Sequence, residues 1–216
     1  MARFVTFEGI EGSGKTTQIQ MYSNALEERG IDHLLTREPG GTPIGNLIRR
    51  LVLNPEHQAM TPTCELLLYA AARAQHIEQV IRPAIGEGRL VLCDRFRDAT
   101  LAYQGYGRGL SLGIIRSLHD LEVLSLQPDL TLIFDIEARD ALARARSRDA
   151  TTRPDETRFE QEDLAFHERV RRGYLEIARR EPGRCVVVDA SGSIEEVHRR
   201  VVTALAALAP AGGGTP

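Results

Sequence analysis

The 216 residues carry 42% hydrophobic and 26% charged side chains, values that exclude disordered and collagen-like classes and suit one domain with a continuous core. A net charge of −3 with a pI near 6.1 excludes the global basic field of a nonspecific nucleic-acid binder, so no nucleic-acid partner is expected. Cys64, Cys93 and Cys185 stand far apart without a C-x-x-C pair, which points to reduced thiols rather than a disulfide framework or zinc knuckle. With no signal pattern and no stretch long enough to span a membrane, a cytoplasmic protein without a membrane partner is the expectation.

The chain opens on a strand-like run, "RFVTFE" at 3–8, that enters "FEGIEGSGKTTQ". Gly9, Gly14, Lys15 and Thr16 fit G-x-x-x-x-G-K-[ST], with the strand before and a helix over 14–29 after it, the context this motif requires. Gly9, Ile10, Glu11, Gly12, Ser13, Gly14, Lys15, Thr16 and Thr17 are therefore expected to cradle a triphosphate on backbone N–H groups and a helix N-terminus. Lys15 would reach the β and γ phosphates and Thr16 would offer its hydroxyl to Mg²⁺. Of the 27 basic residues Lys15 is the only lysine; a compact, rotatable ammonium suits this position better than a planar fork.

Beyond Gly30, a left-handed helix stop, come a strand at 32–36 and a turn-rich loop, "TREPGGTPIG", at 36–45. Helical patterning runs from Pro62 to near Gly86, and strands follow at 89–94, 130–135 and 184–189. A polar, Pro-interrupted loop is expected at 144–158, a capping box at Ser193 and Glu196 before the last helix, and a frayed tail over 210–216. Alternating strand and helix give an α/β class with about five parallel strands in a single domain over 1–209. Several strands end in Glu or Asp, at the edge where open α/β sheets bind ligands.

The cradle alone fits kinases, ATPases and GTPases; the guanine-reading N-K-x-D is impossible with the lone lysine at 15. A mononucleotide kinase also needs an acceptor anion site, a base pocket and a cationic cover. Asp94 and Arg95 end a strand, where Asp94 could hold Mg²⁺ and Arg95 could grip a phosphate bidentately.

The stretches "FEGIEGSGKTTQ", "TREPGGTPIG", "LLLYAAARAQHI", "DRFRDATLAYQG" and "PDLTLIFDIEARDALARARSR", in that order, resemble the bacterial thymidylate kinases. The resemblance implies a P-loop nucleoside monophosphate kinase fold of three layers, usually a homodimer. It implies transfer of the ATP γ-phosphoryl group to dTMP with Mg²⁺, giving dTDP and ADP for dTTP synthesis. By the same resemblance Tyr69 stacks on thymine, Arg73 contacts a base carbonyl, Arg95 grips the acceptor phosphate and Thr100 touches the base edge. Tyr103 packs where a 2′-hydroxyl would project, and Gln104 closes the same motif. Glu11 lies near the acceptor 3′-hydroxyl and the metal, with Arg37 and Arg49 as further acceptor-side candidates. The cradle interior holds no arginine, so the catalytic arginine is expected from a lid over about 139–160 that carries Arg144, Arg148 and Arg153, with Arg146 on another face. Two positions depart from the family pattern: Ala99 where serine is frequent, and Ala72 where an aspartate often precedes the arginine, leaving base contacts and support for Arg73 in question. The rivals are another small-acceptor kinase on this scaffold and a nucleotide-dependent switch ATPase, which predicts hydrolysis without an acceptor.

Overall fold

The computed structural model describes residues 4–152 and 154–206, with backbone alone for 148–152 and Pro154. Arg153 and the tail lie outside the described residues, as does the side chain of Arg148. Five parallel strands run in the order β2-β3-β1-β4-β5: β1 (Phe4–Gly9), β2 (His33–Arg37), β3 (Leu90–Asp94), β4 (Leu130–Asp135) and β5 (Cys185–Asp189). Every residue of β1 is buried, so the central strand is covered on both faces, as parallel sheets require. Phe7, Leu92, Leu132 and Ile133 form the middle of the main core cluster.

Nine α-helices are described: α1 (Lys15–Glu28), α2 (Pro43–Leu53), α3 (Pro62–His76), α4 (Arg82–Gly86), α5 (Arg97–Thr100), α6 (Leu112–His119), α7 (Ala138–Thr152), α8 (Leu164–Arg180) and α9 (Ile194–Ala206). Local chemistry starts several of them. Thr42 caps α2 by accepting from the Gly45 N–H at 2.9 Å, with Pro43 behind it; Thr61 and Pro62 do the same for α3. Before α9, Ser193 and Glu196 make the expected reciprocal pair, N–H to Oε2 at 2.8 Å and N–H to Oγ at 3.2 Å.

Two sequence expectations change. The helix from Pro62 is not uniform: π-helical residues Ile77–Ile81 lie between α3 and α4, and another π segment, Leu101–Gly107, follows α5. The loop expected over 144–158 is instead mostly helix, since α7 runs to Thr152 before a 3₁₀ turn at Pro154–Glu156. Alanines at 138, 141 and 145 provide a helical inner face, all three buried, and that periodicity overrides the polar composition.

In register, Arg37 pairs with Asp94, Phe7 with Asp94 and Gly9 with Phe134, so Gly9, Arg37 and Asp94 share one rim of the sheet. That rim lies where the strand order reverses beside β1, the place where such sheets open a crevice.

Candidate active site

A cavity of about 420 Å³ opens over this rim, with Gly12, Gly14, Lys15, Thr16 and Thr17 at one end and Tyr69, Arg73, Thr100 and Gln104 at the other. Glu11, Asp94 and Arg95 stand between them, and Arg37, Arg49 and Tyr103 also line it. Gly9, Ile10 and Ser13 do not line it: Ile10 and Ser13 are buried beneath, and Ile10 contributes only its carbonyl.

The cradle is closely packed main chain. Gly12 has φ 72°, and a Cβ there would run into the Ala141 carbonyl of α7; at Gly9, φ 143°, it would meet the Phe134 carbonyl at 2.7 Å. Side chains are thus excluded on two grounds, backbone conformation and contact. The Lys15 ammonium folds back to the Ile10 carbonyl at 2.8 Å and the Ser13 hydroxyl at 3.5 Å. Burial and the nearby Arg95 push its pKa down to about 8, against the pull of Asp94, Glu11 and Glu8. The Thr16 hydroxyl donates to Asp94 Oδ2 at 2.6 Å, so two hard oxygens from separate motifs meet beside the lysine. Oxygen donors in small number fit Mg²⁺, which keeps water and phosphate ligands; among the described residues no group of three or more His, Cys, Asp or Glu could hold a metal.

Arg95 is the one non-glycine residue with left-handed backbone among those described, φ 69°. Its N–H donates to the Phe7 carbonyl at 3.0 Å, and its own carbonyl accepts from the Cys93 thiol at 3.0 Å, contacts that hold a conformation L-residues avoid. The guanidinium donates from Nη1 to the Gly9 carbonyl and to the Tyr174 hydroxyl, and from Nη2 to Glu11 at 2.7 Å. It also lies over the Tyr103 ring at 4.8 Å. Among the described residues these bonds leave over the Nε–H and one Nη2 hydrogen of a guanidinium that lines the cavity, donors of the kind that meet a phosphate. Burial pushes the Glu11 carboxyl up, but Arg95, Lys15 and His167 outweigh it and hold the group below its ordinary range; the Tyr103 hydroxyl donates to it at 2.6 Å.

At the far end Arg73 is 1% exposed. Ala72 leaves no gap in its support, because Glu38 accepts its Nε–H at 2.7 Å from the turn-rich loop after β2. The Phe96 carbonyl and Thr100 hydroxyl take hydrogens from Nη2, and His119 Nε2 takes one from Nη1 at 3.4 Å. His119 is neutral, its pKa driven down to about 2 by burial and Arg73. Tyr69 is half-buried on the cavity wall, one helical turn before Arg73 on α3.

Arg49 is not solvated surface charge: it grips Glu156 bidentately at 2.9 and 2.7 Å across the cavity mouth. Arg144 is exposed, donates to the Ala190 carbonyl at 3.3 Å and does not line the cavity.

Several residues of the site carry no signal in the motifs. Glu38 lies inside "REPGG" but is recognisable only once Arg73 is beside it. Glu8 is buried, takes hydrogens from the Phe96 N–H and the Tyr174 hydroxyl, and is pushed up to about 8 by burial and Asp98. Glu156 and Phe159 line the cavity from the turns after α7, with the buried Arg158 between them, and nothing in local patterning marks them.

A family model described as Thymidylate kinase matches residues 7–201. Thymidylate kinase of Syntrophotalea carbinolica is 54% identical over 215 residues, covering 99% of this chain and 100% of that one; thymidylate kinase of Geotalea daltonii is 51% identical, covering 95% and 97%. A crystal structure of thymidylate kinase from Ehrlichia chaffeensis superposes with a TM-score of 0.76 at 37% identity, covering 94% of this chain and 97% of that one. With the glycine turn, Lys15 and the sheet order all consistent with that likeness, the chain belongs to the thymidylate kinase family, enzymes that transfer a phosphoryl group to dTMP.

Proposed function

We propose that ATP is the donor, that its γ-phosphoryl group passes to dTMP in this cavity, and that the named side chains divide the work as follows. The observation that carries the reading is that Arg95, with N–H hydrogens not taken up by its bonds to Gly9, Tyr174 and Glu11, lines the same cavity as Lys15 and the Gly12–Gly14 turn. One cationic site holds the donor, and the other holds an acceptor that is itself a phosphate. The second pKa of a phosphate monoester is about 6, so the attacking oxygen is ionised at neutral pH and no strong general base is required. Catalysis then consists of holding the two phosphates in line and meeting the charge that spreads over the transferred group. Lys15 does this from the donor side, with Arg95 and Glu11 fixing the acceptor; Tyr69 and Arg73 seat the base, Thr100 and Gln104 line its edge, and Tyr103 bounds the sugar. Arg37 adds positive charge at the acceptor mouth, and Arg49, paired with Glu156, borders it as a second acceptor-side group.

Thr16 and Asp94 would hold Mg²⁺, which when bound neutralises phosphate charge. Because the cradle lacks an arginine, a lid residue among Arg144, Arg148 and Arg153 supplies transition-state charge, worth about 10³ to 10⁵ in rate for such an arginine.

The reading includes a second copy of the chain as partner. Ile44, Leu47 and Leu51 of α2 expose about half their surface at helical spacing, beside Leu67 of α3 at 56%, an apolar stripe suited to self-association. Light scattering on Leu47→Glu is expected to show a monomer where the wild type is a dimer.

The decisive experiment measures ADP release with dTMP, dUMP, UMP, CMP, AMP and GMP as acceptors. Turnover fastest with dTMP is expected. Equal ADP release with and without any acceptor would replace the kinase reading by that of a switch ATPase.

A further inference from the structure

Glu65 lies in the first turn of α3, one turn before Tyr69 and two before Arg73 on the same helical face, and has no exposed surface. It is held by three other residues. Arg108 donates to both of its oxygens, at 3.3 and 3.2 Å, and Arg158 donates to Oε2. The third is Gln104, whose Nε2 donates to Glu65 Oε1 at 2.7 Å.

An amide has two ends of nearly equal shape, and which one faces a neighbour is decided by what the neighbour can accept or give. A carboxylate shared by two guanidiniums offers only lone pairs. Gln104 can therefore present only its NH₂ group to Glu65, and its carbonyl Oε1 is turned the other way. None of the described residues donates to that oxygen, and the side chain lines the cavity. Nearby, four of the five N–H hydrogens of Arg73 go to Glu38, Phe96, Thr100 and His119, leaving one on Nη1. The base end of the cavity thus combines one fixed donor with one fixed acceptor.

We propose that Glu65 is a positioning residue that sets base specificity. By holding the Gln104 amide in one orientation, it presents an acceptor alongside the Arg73 donor. That pattern complements a 4-keto pyrimidine, whose ring offers a carbonyl oxygen and an adjacent N–H, and opposes cytosine, which offers an amino group and a bare ring nitrogen. Glu65 touches no substrate; its effect passes through Gln104. The inference rests on the reading that Gln104 meets the base.

The test compares kcat/KM for dTMP and for dCMP in wild type, Glu65→Gln, Glu65→Asp and Gln104→Leu. In Glu65→Gln the new amide can offer either end to Gln104, which is then free to turn over. The dTMP to dCMP ratio is expected to fall about tenfold or more. A purely structural role for Glu65 would lower both values together, so a ratio within twofold of wild type overturns the proposal whatever the absolute loss. If Glu65→Gln does not fold because it leaves two buried arginines without a counter-charge, Glu65→Asp decides. It keeps the charge, falls short of Gln104 by one methylene, and is expected to lower the ratio likewise. Gln104→Leu separates the two ideas. A ratio that collapses there but survives in the Glu65 variants overturns the role of Glu65 alone, whereas a ratio intact in Gln104→Leu overturns the reading of Gln104 beneath it.

Discussion

The two ends of the cleft are built by opposite means. The proposed donor end is main chain from one contiguous turn, Gly9 to Thr16, whose backbone N–H groups and one ammonium would do the binding. The proposed acceptor end is a mesh of side chains from the loop after β2, α3, α5, the π segment after it and the turn after α7, in which Arg73 and Gln104 are held by carboxylates 35 and 39 positions away. The first can be altered at one residue and lost; the second spreads each function over several partners, so that single changes degrade affinity and selectivity by steps.

Lys15→Ala should give the largest effect. Loss of phosphoryl transfer by about 10³-fold or more, with circular dichroism and Tm near wild type, is the expected outcome of a steady-state assay paired with a thermal melt. Near-normal turnover would dissolve the contrast between the two ends.

Glu38→Gln probes the mesh. It strips the counter-charge from Arg73, which is 1% exposed, and the carboxylate partner from His76. Breaking one side of a buried pair costs about 3–5 kcal/mol. Chemical denaturation should show that loss, together with a raised KM for dTMP and an unchanged KM for ATP. A stability change under 1 kcal/mol would mean that the mesh tolerates the loss of the buried carboxylate beside Arg73.

A third test uses pH. In the free protein Lys15 has a pKa near 8, lowered by burial and Arg95, and a bound polyphosphate raises it. Below pH 8 the ammonium is charged before and after binding, and affinity is flat with respect to this group. Above pH 8 binding takes up a proton, so triphosphate affinity should fall by up to about tenfold per pH unit. Calorimetry in buffers of different ionisation enthalpy reads the proton directly; no uptake at pH 9 would contradict the assignment.

The smallest effect is expected at Tyr103. Tyr103→Ala removes the ring that bounds the sugar and the hydroxyl that donates to Glu11, and should reduce the dTMP to UMP ratio of kcat/KM several-fold, about 1 kcal/mol. An unchanged ratio would remove it from sugar reading.

The same contrast decides what could be read from the sequence. The five strands, the cradle and the Ser193 capping box are local patterns, and each falls within a residue or so of its expected place. Arg73 was legible as a residue but its support was not. Ala72 suggested a gap, while the actual partner, Glu38, is 35 positions away. Tyr174, Arg158 and Glu156 approach the cleft from still farther along the chain, and only the sheet order β2-β3-β1-β4-β5 brings them there. The polar stretch after Arg144 is different: its composition speaks for a loop, yet it continues to Thr152 a helix whose root is seated by the buried alanines 138, 141 and 145.

The close approach of Gly12 to the Ala141 carbonyl couples α7 to the glycine turn. Any side chain at position 12 would have to displace the backbone of α7 at Ala141, so the bare glycine is what lets the turn and the helix pack together.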